Sequence, residues 1–290
     1  MPTTANGTPY TVTSSTVSGA GTVYRGVPDA LTTAPLPVVL YCHGAGGGAN
    51  QFATLSAWAG LRDWLIDNGW AWIEGTGGGS QPWGNPASQD AYDAAFAYAD
   101  SIIDITDVVV LGRSMGGAVG ARLYLDHRAS DPRWVGFICN SGVQDLAWAY
   151  DCDGGRWTAA FDNAWGVSSK PEFLTAVAEL NPVDGPETVW AGASVLQLVG
   201  TADDIVPAEH NGLAMRAMYA GQPAIDQLDT KTGGDHSSSN GSYGQVDAMA
   251  AFLFTVIGGT PPAPAPKVIY RSLGRYIRIE GRLHLVRPAP

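Results

Sequence analysis

The chain has 290 residues, 45% of them hydrophobic and only 15% charged, enough apolar mass for one substantial domain with additions or for two domains. Its formal charge of −11 argues against nucleic acid as a partner, because neutralising a phosphate backbone needs clustered cations. No apolar run reaches the roughly 18 residues that cross a bilayer. Met1-Pro2-Thr3-Thr4 lacks the basic start and apolar core of a secretory signal, which leaves cytoplasmic and virion-associated placements open.

In chain order, residues Tyr10–Tyr24, rich in Thr, Ser and Val, predict one or two edge strands. Strand-like runs then recur at Val38–Cys42, Trp70–Glu74, Asp107–Leu111, Val135–Asn140, Val195–Gly200 and Ala224–Leu228. Helical patterns alternate with them at Gln51–Asn68, Gln89–Asp100, Met115–Asp126, Ala208–Ala220 and Gln245–Val256. Alternation of this kind predicts an α/β fold with a mainly parallel central sheet flanked by helices. Residues 142–192 are too long for a simple crossover and carry Trp148, Tyr150, Trp157, Phe161, Trp165 and Phe173. They read as a cap insertion, in which aromatics either grip substrate or pack a helical subdomain. Trp148 and Trp83 are candidate groove-lining, substrate-binding residues.

Residues 1–258 thus form the expected main domain, and 259–266, Gly-Thr-Pro-Pro-Ala-Pro-Ala-Pro, a stiff linker. Residues 267–290 alternate apolar and basic positions and predict three short strands separated at Gly274 and Gly281. This β appendage carries six basic residues against Glu280 alone, leaving −16 on the rest of the chain. The expected role of the basic segment is docking, on the acidic body or on another protein.

Chemistry concentrates at four places. An apolar run ends in Gly112-Arg113-Ser114-Met115-Gly116, the G-x-S-x-G of a strand–turn–helix in which serine stands proud of a sheet. Upstream, Val38–Cys42 leads into His43-Gly44-Ala45-Gly46-Gly47-Gly48, a chain thin enough to present backbone N–H groups to a substrate carbonyl. Downstream, Val195–Gly200 is followed by Asp203 and Asp204. Last comes Gly234-Asp235-His236-Ser237. Of the five histidines, His43 suits ordering of the glycine loop, and His127 lies several helical turns past Ser114, pointing away from it. His210 is close to the acid in sequence, and His284 is in the appendage, so His236 is the expected base. The order Ser114, Asp203, His236 differs from that of chymotrypsin-like and subtilisin-like enzymes.

On these residues the chain resembles the α/β-hydrolases of the serine esterase, lipase and acyl-peptidase kind, over roughly residues 20 to 258. The resemblance implies a carboxylic ester hydrolase that works through an acyl-enzyme, with no cofactor. In members with G-x-x-D-x-x-V-P the acid falls on Asp203; Asp204 is the fallback, since neighbouring side chains face opposite ways. The resemblance also implies that the Ala45 and Met115 amides form the oxyanion hole, with Gly46 as a substitute for Ala45. The expected partner is a small-molecule or polymer ester. The layout further resembles hydrolase modules on actinobacteriophage tail proteins, so the alternative is a non-catalytic tail or cell-envelope binding module. A second alternative is an NAD-dependent oxidoreductase. Gly44-Ala45-Gly46-Gly47-Gly48-Ala49 fits G-x-G-x-x-A, but Glu74 follows Gly44 by 30 residues rather than the roughly 20 expected of a ribose-binding acid. Cys42, Cys139 and Cys152 show no C-x-x-C spacing, and no H-E-x-x-H or Cys/His cluster predicts a metal site. Cys42 and Cys139 lie in apparent strands, where free cysteine behaves as a small buried apolar group, and a Cys139–Cys152 bridge is the alternative.

Overall fold

The computed structural model describes residues 2–258, together with the backbone of 269–271, 274–279 and 282–286. The chain divides into two compact units, Met1–Gly258 and Gly259–Pro290.

The larger unit is built on an eight-stranded sheet. Its elements run β1 (Tyr10–Val17), β2 (Gly21–Pro28), β3 (Leu36–Cys42), α1 (Gln51–Thr54), α2 (Ala59–Asp67), β4 (Ala71–Gly75), α3 (Pro86–Asp100), β5 (Ile105–Arg113), α4 (Gly116–Arg128) and β6 (Trp134–Asn140). They continue with α5 (Leu146–Gly155), α6 (Thr158–Trp165), α7 (Lys170–Val177), β7 (Ser194–Gly200), α8 (Gly212–Met218), β8 (Ile225–Lys231) and α9 (Val246–Val256). The strand order is β1-β2-β4-β3-β5-β6-β7-β8. The β1–β2 hairpin and its junction with β4 are antiparallel, and every later pairing is parallel. This is the α/β-hydrolase fold, with a mostly parallel sheet covered on both faces.

Period-two alternation along the strands decides what each face meets. Val38, Leu40, Val108, Val110, Phe137 and Val195 pack with Tyr92, Phe96, Val119 and Leu123 from α3 and α4. Their neighbours Val39, Tyr41, Val109, Leu111, Ile138 and Leu196 pack on the other face with Phe52, Leu61, Leu65, Phe252 and Leu253 from α1, α2 and α9. Burial on both faces is why these strands read as continuous apolar runs rather than alternating ones.

Two expectations change in detail. The helix predicted over Gln51–Asn68 is broken at Leu55, which is extended (φ −69°, ψ 121°). The Arg62 guanidinium donates to the carbonyls of Phe52 and Leu55 across the break, and Glu74 accepts from the Phe52 and Ala53 amides, 2.7 Å each. The helix predicted over Ala208–Ala220 begins only at Gly212. Asn211 lies outside helical geometry, and its Oδ1 accepts from the Gln144 and Asp145 amides at the base of the insertion. The three cysteines are all buried and free, as expected of Cys42 and Cys139, and the alternative Cys139–Cys152 bridge does not form.

Between β6 and β7 lie α5, α6, α7 and two 3-10 turns. Tyr150, Phe161 and Phe173 pack with Trp83 and Met115 as one cluster. In the smaller unit, β9 (Ile269–Arg271), β10 (Gly274–Ile279) and β11 (Arg282–Val286) form an antiparallel sheet in the order β11-β10-β9. The expected linker at 259–266 lies outside the described residues.

Candidate active site

Three chain segments meet where β5, β7 and β8 end. The first is the turn from β5 into α4. Ser114 holds φ +51°, a left-handed conformation that is costly for a residue with a Cβ. The turn persists because its surroundings permit no other path. A Cβ on Gly112 would come within 2.5 Å of the Gly116 carbonyl oxygen, and one on Gly116 within 2.2 Å of the Cys42 oxygen. Only bare backbone fits at both flanks of the serine. The Ser114 carbonyl accepts from the Gly117 and Val143 amides (2.9 and 2.8 Å), which locks the turn from both sides.

The second segment follows β7. Asp203 is buried, and its Oδ1 accepts from the amides of Ile205 (3.1 Å) and Val206 (2.8 Å). Asp204 is exposed. The third follows β8, where Gly200 and Gly234 approach so closely that a Cβ on Gly200 would sit 2.3 Å from the Gly234 oxygen. The Ala202 amide donates to that oxygen (2.9 Å) and ties the two loops together.

The ring of His236 joins the three. Its Nδ1 lies 2.8 Å from Asp203 Oδ2, and its Nε2 lies 2.8 Å from Ser114 Oγ. With Asp203 as acceptor, the ring is the tautomer protonated at Nδ1, leaving the Nε2 lone pair for the serine hydroxyl. Burial lowers the pKa of His236, assisted by Arg113 and opposed by Asp203 and Asp204. The neutral imidazole therefore persists below the ordinary histidine range.

The glycine loop after β3 supplies the other half of the geometry. His43 is buried, with Nδ1 2.9 Å from the Gly44 oxygen and Nε2 2.9 Å from the Thr76 oxygen, the loop-ordering position expected of it. Gln51 Oε1 accepts from the Gly44 amide (2.9 Å) and from the Tyr41 hydroxyl (2.6 Å). The Gly46 amide donates to the Ser80 oxygen (2.9 Å), so the fallback oxyanion donor is already engaged. Among the described residues, the Ala45 and Met115 amides donate to no protein acceptor. An open depression of about 440 Å³ adjoins this loop, lined by Gly46, Gly47, Gly48, Asn50, Thr54 and Ser56.

The remaining candidates are placed elsewhere. Trp83 does not line an open groove: it is 2% exposed, its ring 4.4 Å from that of Phe161 beneath the cap. A left-handed backbone at Trp83 (φ +49°) turns the indole inward, a conformation that residue type alone does not announce. Trp148 is half-buried and stacks on exposed His210, 4.9 Å between centroids and 12° from parallel. His127 pairs with Asp93 (2.6 Å) and stacks on Trp134, far along α4 from the serine. Glu74 cannot serve a ribose, since both its oxygens cap the backbone of α1. Burial pushes the thiol of Cys139 up to about 12 and that of Cys42 up as well, so neither is a thiolate near neutral pH.

Sequence reasoning missed Arg113, the variable residue of the G-x-S-x-G. It is 1% exposed, and it donates from Nη2 to the His236 carbonyl (2.9 Å). Its Nη1 lies 3.1 Å from His236 Nε2. The only signal was its position: a cation ending a strand that is otherwise buried on both faces must find acceptors inside.

Comparison with curated proteins finds no match. Among solved structures, a puromycin-hydrolyzing peptidase of Mycobacterium tuberculosis superposes with a TM-score of 0.69 at 18% identity, covering 90% of this chain and 41% of that one. Oligopeptidase B from Leishmania major gives 0.62 at 13% identity, over 86% and 37%. An esterase of the fungus Rhizomucor miehei gives 0.62 at 16% identity, over 87% of this chain and 85% of the other. At such identities the likeness is one of fold, and the chain spans about two fifths of the peptidases' length. Residues 66–260, more than half of the chain, match the prolyl oligopeptidase family. The chain belongs to that family, and it has the α/β-hydrolase fold.

Proposed function

We propose that the chain hydrolyses carboxylic esters through an acyl-enzyme on Ser114. The observation that carries this reading is the unbroken line Ser114 Oγ, His236 Nε2, His236 Nδ1, Asp203 Oδ2, with 2.8 Å at each hydrogen bond. Ser114 Oγ attacks the ester carbonyl carbon, and its proton passes to His236 Nε2. Asp203 holds the ring tautomer and stabilises the imidazolium. The Ala45 and Met115 amides receive the negative charge that develops on the carbonyl oxygen. As the C–O bond to the alcohol breaks, Nε2 returns the proton to the leaving oxygen. Water, deprotonated by the same nitrogen, then releases the acid and restores Ser114. Trp148, beside the acid loop, is the residue proposed to contact the substrate.

A peptidase reading is favoured by the family match and by the peptidases among the structural neighbours. The two separate on the leaving group, because an amine must be protonated before it departs and an activated phenolate need not be. Turnover of p-nitrophenyl butyrate is compared with that of butyryl p-nitroanilide, with Ser114→Ala as control. Ester cleavage that exceeds anilide cleavage by orders of magnitude and vanishes in the control supports the proposal. Anilide turnover at a comparable kcat/KM replaces it with the peptidase reading, and no turnover of either leaves a binding module on a hydrolase scaffold.

A further inference from the structure

The guanidinium of Arg113 faces the same nitrogen that takes the serine proton. It cannot swing away. Nη2 donates to the His236 carbonyl (2.9 Å), while Nη1 lies within reach of the Ser141 carbonyl (3.3 Å) as well as His236 Nε2 (3.1 Å). A neutral ring tolerates this neighbour, because the Nε2 lone pair accepts from the Ser114 hydroxyl and from Nη1–H together. A protonated ring does not. Once Nε2 carries a hydrogen, two donors bearing like charge confront each other with almost no water between them, since Arg113 is 1% exposed.

We propose that Arg113 is a positioning residue that clamps His236 at its carbonyl and its ring, holds the ring neutral at rest, and drives the imidazolium to surrender its proton. This rests on His236 acting as the base of the proposed reaction. The proton that leaves Ser114 Oγ resides only briefly on Nε2 and is pushed forward to the leaving oxygen, while Asp203 on Nδ1 pulls in the opposite sense. The other charged groups around the ring do not replace Arg113. Asp204, next to the acid, favours the charged ring. Asp235 is turned to the Ser237 amide and hydroxyl, and Lys231 donates to the Gly241 carbonyl. Among the described residues, Arg113 is thus the cation that opposes protonation, and it adds to the effect of burial in lowering the His236 pKa.

The sign follows directly. Removing the cation stabilises the charged ring, so the pKa rises and the neutral base is lost at a higher pH. The test follows the His236 ring carbon resonance against pH in the free enzyme, assigned by its disappearance in His236→Asn. Wild type titrates below the unperturbed value of about 6.5. Arg113→Met and Arg113→Gln titrate about one pH unit above wild type, a tenfold change in the protonation equilibrium. Arg113→Lys, which keeps the charge, stays with wild type. A folded neutral variant that titrates with wild type overturns the proposal, and so does a wild-type value at or above about 6.5 even if no variant folds. No substrate is involved, so absence of ester turnover would count against the proposed function and leave this result standing.

Discussion

Two serines sit on neighbouring parallel strands in nearly the same strained conformation, and only one faces a base. Ser114 follows β5 with φ +51°, and Ser141 follows β6 with φ +42°. From Val109 onward the strands are in register up to these turns, with Arg113 beside Asn140. Ser114 Oγ meets the His236 ring, whereas Ser141 is 3% exposed and its Oγ meets Ser242 Oγ (2.8 Å), which also donates to Asn140 Oδ1 (2.6 Å). Left-handed strain therefore does not make a nucleophile. What distinguishes Ser114 is the imidazole within hydrogen-bond distance of its hydroxyl, and the same backbone one strand away supports the histidine loop.

The contrast can be pushed hardest at the two hydroxyls themselves. Ser114→Ala should lower kcat by about 10⁶, on the order of 8 kcal/mol of barrier, in a p-nitrophenyl butyrate assay. Asp203→Asn should lower it by about 10⁴ through the wrong ring tautomer. Asp204→Asn should stay within about threefold, because surface charges screened by solvent contribute little. Reversal of that pair would move the acid to Asp204.

Smaller effects fall on stability. Glu74→Ala orphans the buried Phe52 amide and the half-buried Ala53 amide and should cost about 3 kcal/mol in urea unfolding. Burial, outweighing the Phe52 and Ala53 amides and Arg62, pushes the Glu74 carboxyl up to about 8 from its usual 4.5. The folded state therefore holds this proton more tightly than the unfolded chain. The contribution is full below pH 4.5 and is lost as pH rises through 8, a slope that Glu74→Ala should remove. Smallest is Ser141→Ala, which should cost about 1 kcal/mol by deleting one hydroxyl contact and leave kcat within about threefold.

Much of this was legible in the residues. Strand positions followed from apolar runs such as Val108–Leu111, because burial on both faces leaves no alternation to misread. Ser114 and Asp203 stood out because each sits in a turn after such a run, and His236 because the other four histidines fit other roles. Less legible were features set by contacts distant in sequence. Nothing local breaks the helix at Leu55; Arg62 and Glu74 do, from 7 and 19 residues away. Trp83 read as a groove aromatic because its inward turn depends on backbone conformation. Arg113 carries no signal in the sequence beyond its place in the motif, since its role exists only once the loop after β8 folds over it.

The central claim is that one hydroxyl in this molecule is activated, and labelling with diethyl p-nitrophenyl phosphate reads that out directly. The account predicts release of one equivalent of p-nitrophenol and one phosphoryl adduct on the peptide bearing Ser114, with Ser141 unmodified. An adduct on another residue, or an enzyme that stays unlabelled while folded, would contradict it.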